Sequence, residues 1–199
     1  PYKLVKTMRA GVLVLGPLIT RYKKAKVSLP GGCAIGTRPV DIHLFALKKF
    51  GAKIKIRDGY IIAEAKKGLI GNNIRFPSIS VGATENALIA ACGAEGKTVL
   101  TNCAIEPEIL DLISFIKKLG IFIKVNGRKI IINGKKTVKE KIGHKIIFDR
   151  IEAGTYLIAG VLIGKKIIIK NVLPSIIKNE IQILKRIGAK ITAKKNFIT

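Results

Sequence analysis

A repeat constrains this chain more than any other feature. Ala46-Leu-Lys-Lys-Phe-Gly-Ala-Lys-Ile-Lys-Ile56 recurs as Phe115-Ile-Lys-Lys-Leu-Gly-Ile-Phe-Ile-Lys-Val125 and again as Ile183-Leu-Lys-Arg-Ile-Gly-Ala-Lys-Ile191. The glycines Gly51, Gly120 and Gly188 stand 69 and 68 residues apart, and each follows a proline: Pro39, Pro107 or Pro174. Proline suits the first turn of a helix and glycine the residue past its end, so each copy predicts one helix of three to four turns. The apolar residues agree. Val40, Leu44 and Leu47 fall at i, i+4, i+7, as do Ile109, Ile113 and Ile116, and Ile177, Ile181 and Leu184, each set one buried stripe.

After each glycine the period changes to two. Ile54 and Ile56 are expected inward and Lys53, Lys55 and Arg57 outward, as on a half-buried strand. Asp58-Gly59 and Asn126-Gly127 predict hairpin turns, with Tyr60–Ala63 and Lys129–Ile132 as the returning strands. Ala83–Ala94 and Gly154–Val161 read as helices rich in small residues, leading into strands Lys97–Thr101 and Lys166–Lys170. The unit is therefore strand, helix, strand, helix, strand, strand. Such a unit cannot bury its sheet alone, so copies should pack helix against helix. The chain is expected to stop inside an unfinished hairpin at Thr199.

One loop does not belong to the repeat: Ser28-Leu-Pro-Gly-Gly-Cys-Ala-Ile-Gly-Thr-Arg-Pro-Val-Asp41. Glycine permits backbone angles closed to other residues and lets a ligand approach the main chain. Read with Pro39, it is a strand, a loose glycine loop and a helix start. It offers the Cys33 thiol, the Arg38 guanidinium and free N–H groups, which together suit an anionic substrate. A thiol beside an arginine and a helix N-terminus has its thiolate favoured. Taken alone, Cys33 would be a small filler residue and Arg38 an exposed charge.

SLPGGCAIGTRPVDIH at 28–43 resembles the cysteine loop of the enolpyruvyl transferases, in the branch that acts on UDP-N-acetylglucosamine. PYKLVKTMRAG at 1–11, SVGAT at 80–84, EPEI at 106–109 and DRIEAGT at 149–155 resemble the same family in the same order. The resemblance implies an α/β (α+β) fold of repeated βαβαββ units with helices inside and sheets outside, an inside-out prism of the EPSP synthase type. Two such domains would close around the substrates. Residues 1–147 would be most of one domain, with the cysteine loop, and residues 148–199 the start of the second. Family chains are roughly twice this length and this one starts at Pro1 inside a motif, so a fragment is expected, and the fragment alone is expected to be inactive.

The implied reaction transfers the enolpyruvyl group of phosphoenolpyruvate to the 3-hydroxyl of UDP-N-acetylglucosamine, the first committed step of peptidoglycan synthesis, and releases phosphate. Cys33 would be the general acid and the target of fosfomycin, and Arg38 a clamp on phosphate groups. Arg9 would contact the UDP-sugar. Arg38, Pro39, Val40, Asp41 and Ile42 would hold the uridine end, and Ser80, Val81 and Gly82 the diphosphate. Ser78 stands where the family often has lysine, with Arg75 as a substitute. Asp41 also has a plainer reading, as a carboxylate in a helix first turn. Glu106, Asp149 and Arg150 match hinge positions and are expected to be structural. The implied partners are the two small substrates. No metal or organic cofactor is implied, and a monomer is expected.

Composition narrows the alternatives. The chain has 199 residues and is 48% hydrophobic, which describes a globular protein. Gly11–Thr20 is too short for a membrane helix and Leu157–Ile169 is broken by Lys165 and Lys166. No leader is expected. Three cysteines without metal spacing point to reduced thiols in the cytoplasm, and Cys92 and Cys103 read as core. Two isolated histidines, His43 and His144, make no metal site and carry no assigned role. The net charge of +25 raises a rival reading, a basic repeat protein that binds nucleic acid. The lysines are spread over every segment and no aromatic-basic motif accompanies them, so nucleic acid is not the expected partner. The nearer rival is the sister enzyme acting on shikimate 3-phosphate, against which the cysteine loop and RPVDIH argue.

Overall fold

The computed structural model describes residues 4, 7–31, 40–134, 141–164 and 166–199. The chain divides into two compact units, Pro1–His144 and Lys145–Thr199. In the first, a 3-10 turn at Arg9–Val14 runs into α1 (Leu15–Tyr22), β1 (Lys24–Ser28), α2 (Asp41–Lys49), β2 (Lys53–Arg57) and β3 (Tyr60–Glu64). A second copy follows as β4 (Asn73–Arg75), α3 (Val81–Gly93), β5 (Lys97–Thr101), α4 (Pro107–Lys118), β6 (Phe122–Asn126) and β7 (Lys129–Asn133). The second unit holds α5 (Arg150–Ile163), β8 (Ile169–Lys170), α6 (Lys178–Arg186), β9 (Ala193–Lys194) and β10 (Phe197–Ile198).

The repeat is a repeat of topology. Strand orders β1-β3-β2, β5-β7-β6 and β8-β10-β9 are one pattern, in which the last strand of the hairpin lies in the middle. All these pairs are antiparallel, and β4 adds a parallel strand beside β5. Each large sheet is buried on one face only. Ile61 and Ala63 point into the core while Ile62 and Glu64 are exposed; Ile130 and Ile132 repeat this between exposed Lys129 and Asn133.

Helices fill the space behind the sheets. Both α1 and α2 pack on α3. That helix buries Ala83, Thr84, Asn86, Ala87, Leu88, Ala90 and Ala91, nearly its whole circumference, as a central helix must. Small residues permit the close approach: a Cβ added at Gly16 of α1 would stand 2.5 Å from Asn86 Oδ1. The first unit therefore has helices inside and sheets outside.

The predicted stripes are buried at Leu44, Leu47, Ile109, Ile113, Ile116, Ile177, Ile181 and Leu184, with Val40 half-buried. Gly51, Gly120 and Gly188 end their helices at φ of 96°, 85° and 101°, in the left-handed region. Five details differ from the expectations. Pro107 opens α4, but α6 starts at Lys178, because Pro174 belongs to a turn in which Ile176 N–H donates to the Leu173 carbonyl. Ile56 is 57% exposed, because β2 is an edge strand of its sheet among the described residues. The second hairpin turns on Gly127-Arg128 and not on Asn126-Gly127: Asn126 pairs with Lys129 and only Gly127 carries positive φ. Strand β8 covers only Ile169–Lys170 of the predicted Lys166–Lys170. The fifth difference lies in the hairpin expected to be unfinished at Thr199, which is formed: β10 closes on both β9 and β8, and Thr192 and Thr199 exchange backbone hydrogen bonds.

Candidate active site

The turn that carries Arg9 and helix α2 both pack on α3, whose first residues follow Ser80, and His43 in the first turn of α2 lies against Gly82. Each owes its position to a local device. Ser80 is the N-cap of α3, and its Oγ accepts the Ala83 N–H at 3.3 Å. Thr84 Oγ1 donates to the Ser80 carbonyl at 2.8 Å and accepts the Ala104 N–H at 3.1 Å. One hydroxyl thus ties the first turn of α3 to the segment that precedes α4. Val40 begins α2 without a side-chain cap, its carbonyl accepting the Leu44 N–H at 3.0 Å. Asp41 is exposed in the first turn of α2, where the helix dipole favours a carboxylate. Arg9 is exposed at the head of its turn. Cys33, Arg38 and Pro39 lie outside the described residues. Ser78 and Arg75 are both exposed.

The side chain that joins these segments carried no role in the sequence reading. His43 is 6% exposed, and its ring lies against Gly82: a Cβ there would stand 3.1 Å from Cε1 and 3.3 Å from Nε2. Gly82 is the opening through which α2 meets α3. Burial, then the Arg9 guanidinium, push the His43 pKa down to about 4, against a smaller upward pull from Asp41. The ring is neutral at neutral pH.

Asn86 holds this junction. Its Oδ1 accepts the Gly16 N–H at 2.9 Å, its Nδ2 donates to the Val12 carbonyl at 3.0 Å, and Nδ2 lies 3.3 Å from His43 Nδ1. An asparagine inside the apolar run of α3 must have partners if it is buried, but the sequence does not name them.

The other titratable groups divide clearly. Burial, then Glu108, raise the pKa of Glu85. Glu106 is the residue before α4 and makes no side-chain cap, and its Oε2 is buried with no hydrogen-bond partner among the described residues. Asp149 caps α5 through Oδ1, which accepts the Ile151 and Glu152 N–H groups at 2.8 and 3.1 Å. Cys103 is fully buried and Cys92 is partly buried, its thiol donating to the Leu88 carbonyl at 3.1 Å. Burial pushes both thiols up to about 12, so neither supplies a thiolate. Among the described residues no cluster of three or more His, Cys, Asp or Glu could hold a metal. None of the described helices is long and apolar enough to cross a membrane.

Comparison with known proteins decides the family. The protein-family model described as EPSP synthase (3-phosphoshikimate 1-carboxyvinyltransferase) matches residues 1–199. The chain belongs to the EPSP synthase family. Within it, the chain is 60% identical over 198 residues to the UDP-N-acetylglucosamine 1-carboxyvinyltransferase of Pelagibacter ubique, covering 99% of this chain and 47% of that protein. It is 49% identical to the protein of the same name from Endomicrobium trichonymphae, covering 100% of this chain and 48% of the relative. The chain thus spans about half the length of the curated relatives it matches. Among solved structures, the enolpyruvyl transferase NikO from Streptomyces tendae superposes with a TM-score of 0.83 at 22% identity, over 100% of this chain and 48% of NikO. EPSP synthase from Acinetobacter baumannii gives 0.69 at 20% identity, over 97% of this chain and 45% of that one. These two likenesses bear on the fold: repeated mixed units of helix and sheet of the enolpyruvyl transferase kind.

Proposed function

We propose that the complete protein transfers the enolpyruvyl group of phosphoenolpyruvate to the 3-hydroxyl of UDP-N-acetylglucosamine and releases phosphate. The 60% identity to a protein named for that reaction, over 99% of this chain, carries the reading. In the proposed route Cys33 delivers a proton to the methylene carbon of phosphoenolpyruvate, and the sugar oxygen attacks the neighbouring carbon as its hydroxyl proton passes to a general base. Loss of a proton from the new methyl group then expels phosphate and restores the double bond. General acid help of this kind is worth roughly 100- to 10,000-fold. Arg38 clamps phosphate oxygens, Arg9 meets the UDP-sugar, residues 38–42 hold the uridine end, and Ser80-Val81-Gly82 present backbone N–H groups to the diphosphate.

The reading places the protein in the cytoplasm at the first committed step of peptidoglycan synthesis, with consequences for cell shape and division, and makes it a monomer and a target of fosfomycin. Residues 1–147 are proposed as most of one domain and 148–199 as the start of the other.

The family model carries the name of the sister enzyme, so shikimate 3-phosphate is the rival acceptor. Fosfomycin tests the reading on the complete gene product. Intact mass after incubation should show one adduct, on Cys33, formed faster when UDP-N-acetylglucosamine is present and absent from Cys33→Ala. A folded protein that gains no adduct would remove Cys33 from the mechanism.

A further inference from the structure

Two backbone groups fix the orientation of the Asn86 amide. Its oxygen accepts the Gly16 N–H at 2.9 Å, so the other terminal atom is the nitrogen, which donates to the Val12 carbonyl at 3.0 Å. Neither partner can exchange roles, since a backbone N–H only donates and a carbonyl only accepts. The second proton of that nitrogen faces His43 Nδ1 at 3.3 Å. An N–H donor there requires Nδ1 to be the bare, accepting nitrogen. The ring proton of neutral His43 is then on Nε2, the atom that lies against Gly82 at the start of α3.

This carboxamide therefore spans three segments. Val12 and Gly16 belong to the turn and helix just after Arg9, His43 to the first turn of α2, and Asn86 itself to α3. These segments carry Arg9, Val40-Asp41-Ile42 and Ser80-Val81-Gly82, the described residues assigned above to the sugar nucleotide. Among the described residues, the charged groups acting on His43 are Arg9 in the turn and Asp41 on its own helix, while α3 offers it the uncharged Gly82 and Asn86.

We propose that Asn86 is a positioning residue for the sugar-nucleotide site, holding the Arg9 turn and α2 in register on α3 and fixing His43 as the tautomer with its proton on Nε2. The proposal rests on the function inferred above. It assigns the specificity for the sugar nucleotide in part to a buried residue that touches no substrate.

Two measurements on the complete protein test it. The first needs no variant: nitrogen-15 NMR of the histidine rings in the wild type. His43 should show a proton on Nε2, none on Nδ1, and no titration between pH 8 and 5.5. A proton on Nδ1 would overturn the proposal. The second is steady-state kinetics of Asn86→Asp, which keeps the shape and the acceptor but removes the donor. KM for UDP-N-acetylglucosamine should rise at least about tenfold, a loss of ~1.4 kcal/mol of binding, with KM for phosphoenolpyruvate within about twofold. A carboxylate beside the ring should also raise the His43 pKa, giving the sugar-nucleotide KM a pH dependence absent from the wild type. Equal changes in both KM values, or none, would reduce Asn86 to a structural residue. If Asn86→Asp does not fold, the wild-type tautomer decides. A wild type with no UDP-N-acetylglucosamine turnover would overturn the functional reading and the positioning role together, leaving the tautomer as measured.

Discussion

His144 Nε2 lies 3.1 Å from Asp111 Oδ1, and this pair fastens the last residues of the first unit to α4. The two side chains are 9% and 22% exposed, Phe115 packs edge-on against the imidazole at 5.4 Å, and Lys118 Nζ donates to the neighbouring Gly143 carbonyl at 3.0 Å. A segment that reads as a lysine-rich linker is thus docked through its one histidine. Asp111→Ala should lower the unfolding free energy of this unit by about 1–3 kcal/mol, the cost of orphaning a largely buried partner. Asp111→Asn, which keeps an acceptor oxygen, should lose less. Urea unfolding compares the three; equal midpoints would show that the pair contributes nothing.

His43 makes stability depend on pH in a stated direction. Its pKa is about 4 in the folded state against 6.5 when unfolded, so the folded protein binds fewer protons between those values. The stabilisation is complete above pH 6.5 and is lost as pH falls from 6.5 towards 4. The loss at the acid end is about 3 kcal/mol. Other groups titrate in the same range, so the quantity to measure is the difference between wild type and His43→Asn. That difference should shrink with falling pH, and parallel curves would mean that the ring is already solvated.

Gly16 should not accept a side chain. A Cβ there would stand 2.5 Å from Asn86 Oδ1 and 2.8 Å from the Asn86 carbonyl oxygen, in a contact lined by backbone. Gly16→Ala should destabilise by about 1–3 kcal/mol, as overpacking does, and the thermal midpoint reports it. An unchanged midpoint would show that α1 and α3 have room to separate.

The three cysteines should react unequally. With Cys92 and Cys103 held near 12, a thiol reagent at pH 7.5 finds almost no thiolate at either. Peptide mass mapping of the folded protein should place the first modification on Cys33 alone. Early labelling of Cys92 or Cys103 would contradict the burial that protects them.

What the sequence carried, and what it did not, follows from the range of each signal. The closing glycines and three-four spacing placed α2 and α4, and Pro107 opened α4, because helix ends and stripes are local properties. Pro174 misled because proline opens turns as readily as helices, and only tertiary packing chose Lys178. Ile56 misled because alternation names a face and says nothing about how far cover extends over an edge strand. His43, Asn86 and Asp111 escaped for one reason. Their partners lie 33 to 74 residues away, so no window along the chain contains both ends of the contact. The cysteine loop was the opposite case: its residues adjoin in sequence, so its resemblance to the enolpyruvyl transferases could be read without any fold.

The central claim is the acceptor, and one assay tests it. Phosphate release by the complete gene product should require phosphoenolpyruvate and UDP-N-acetylglucosamine together, fall by at least about 100-fold in Cys33→Ala as loss of a general acid would cause, and fail with shikimate 3-phosphate. Phosphate release driven by shikimate 3-phosphate, or turnover of the sugar nucleotide undiminished by Cys33→Ala, would contradict the account.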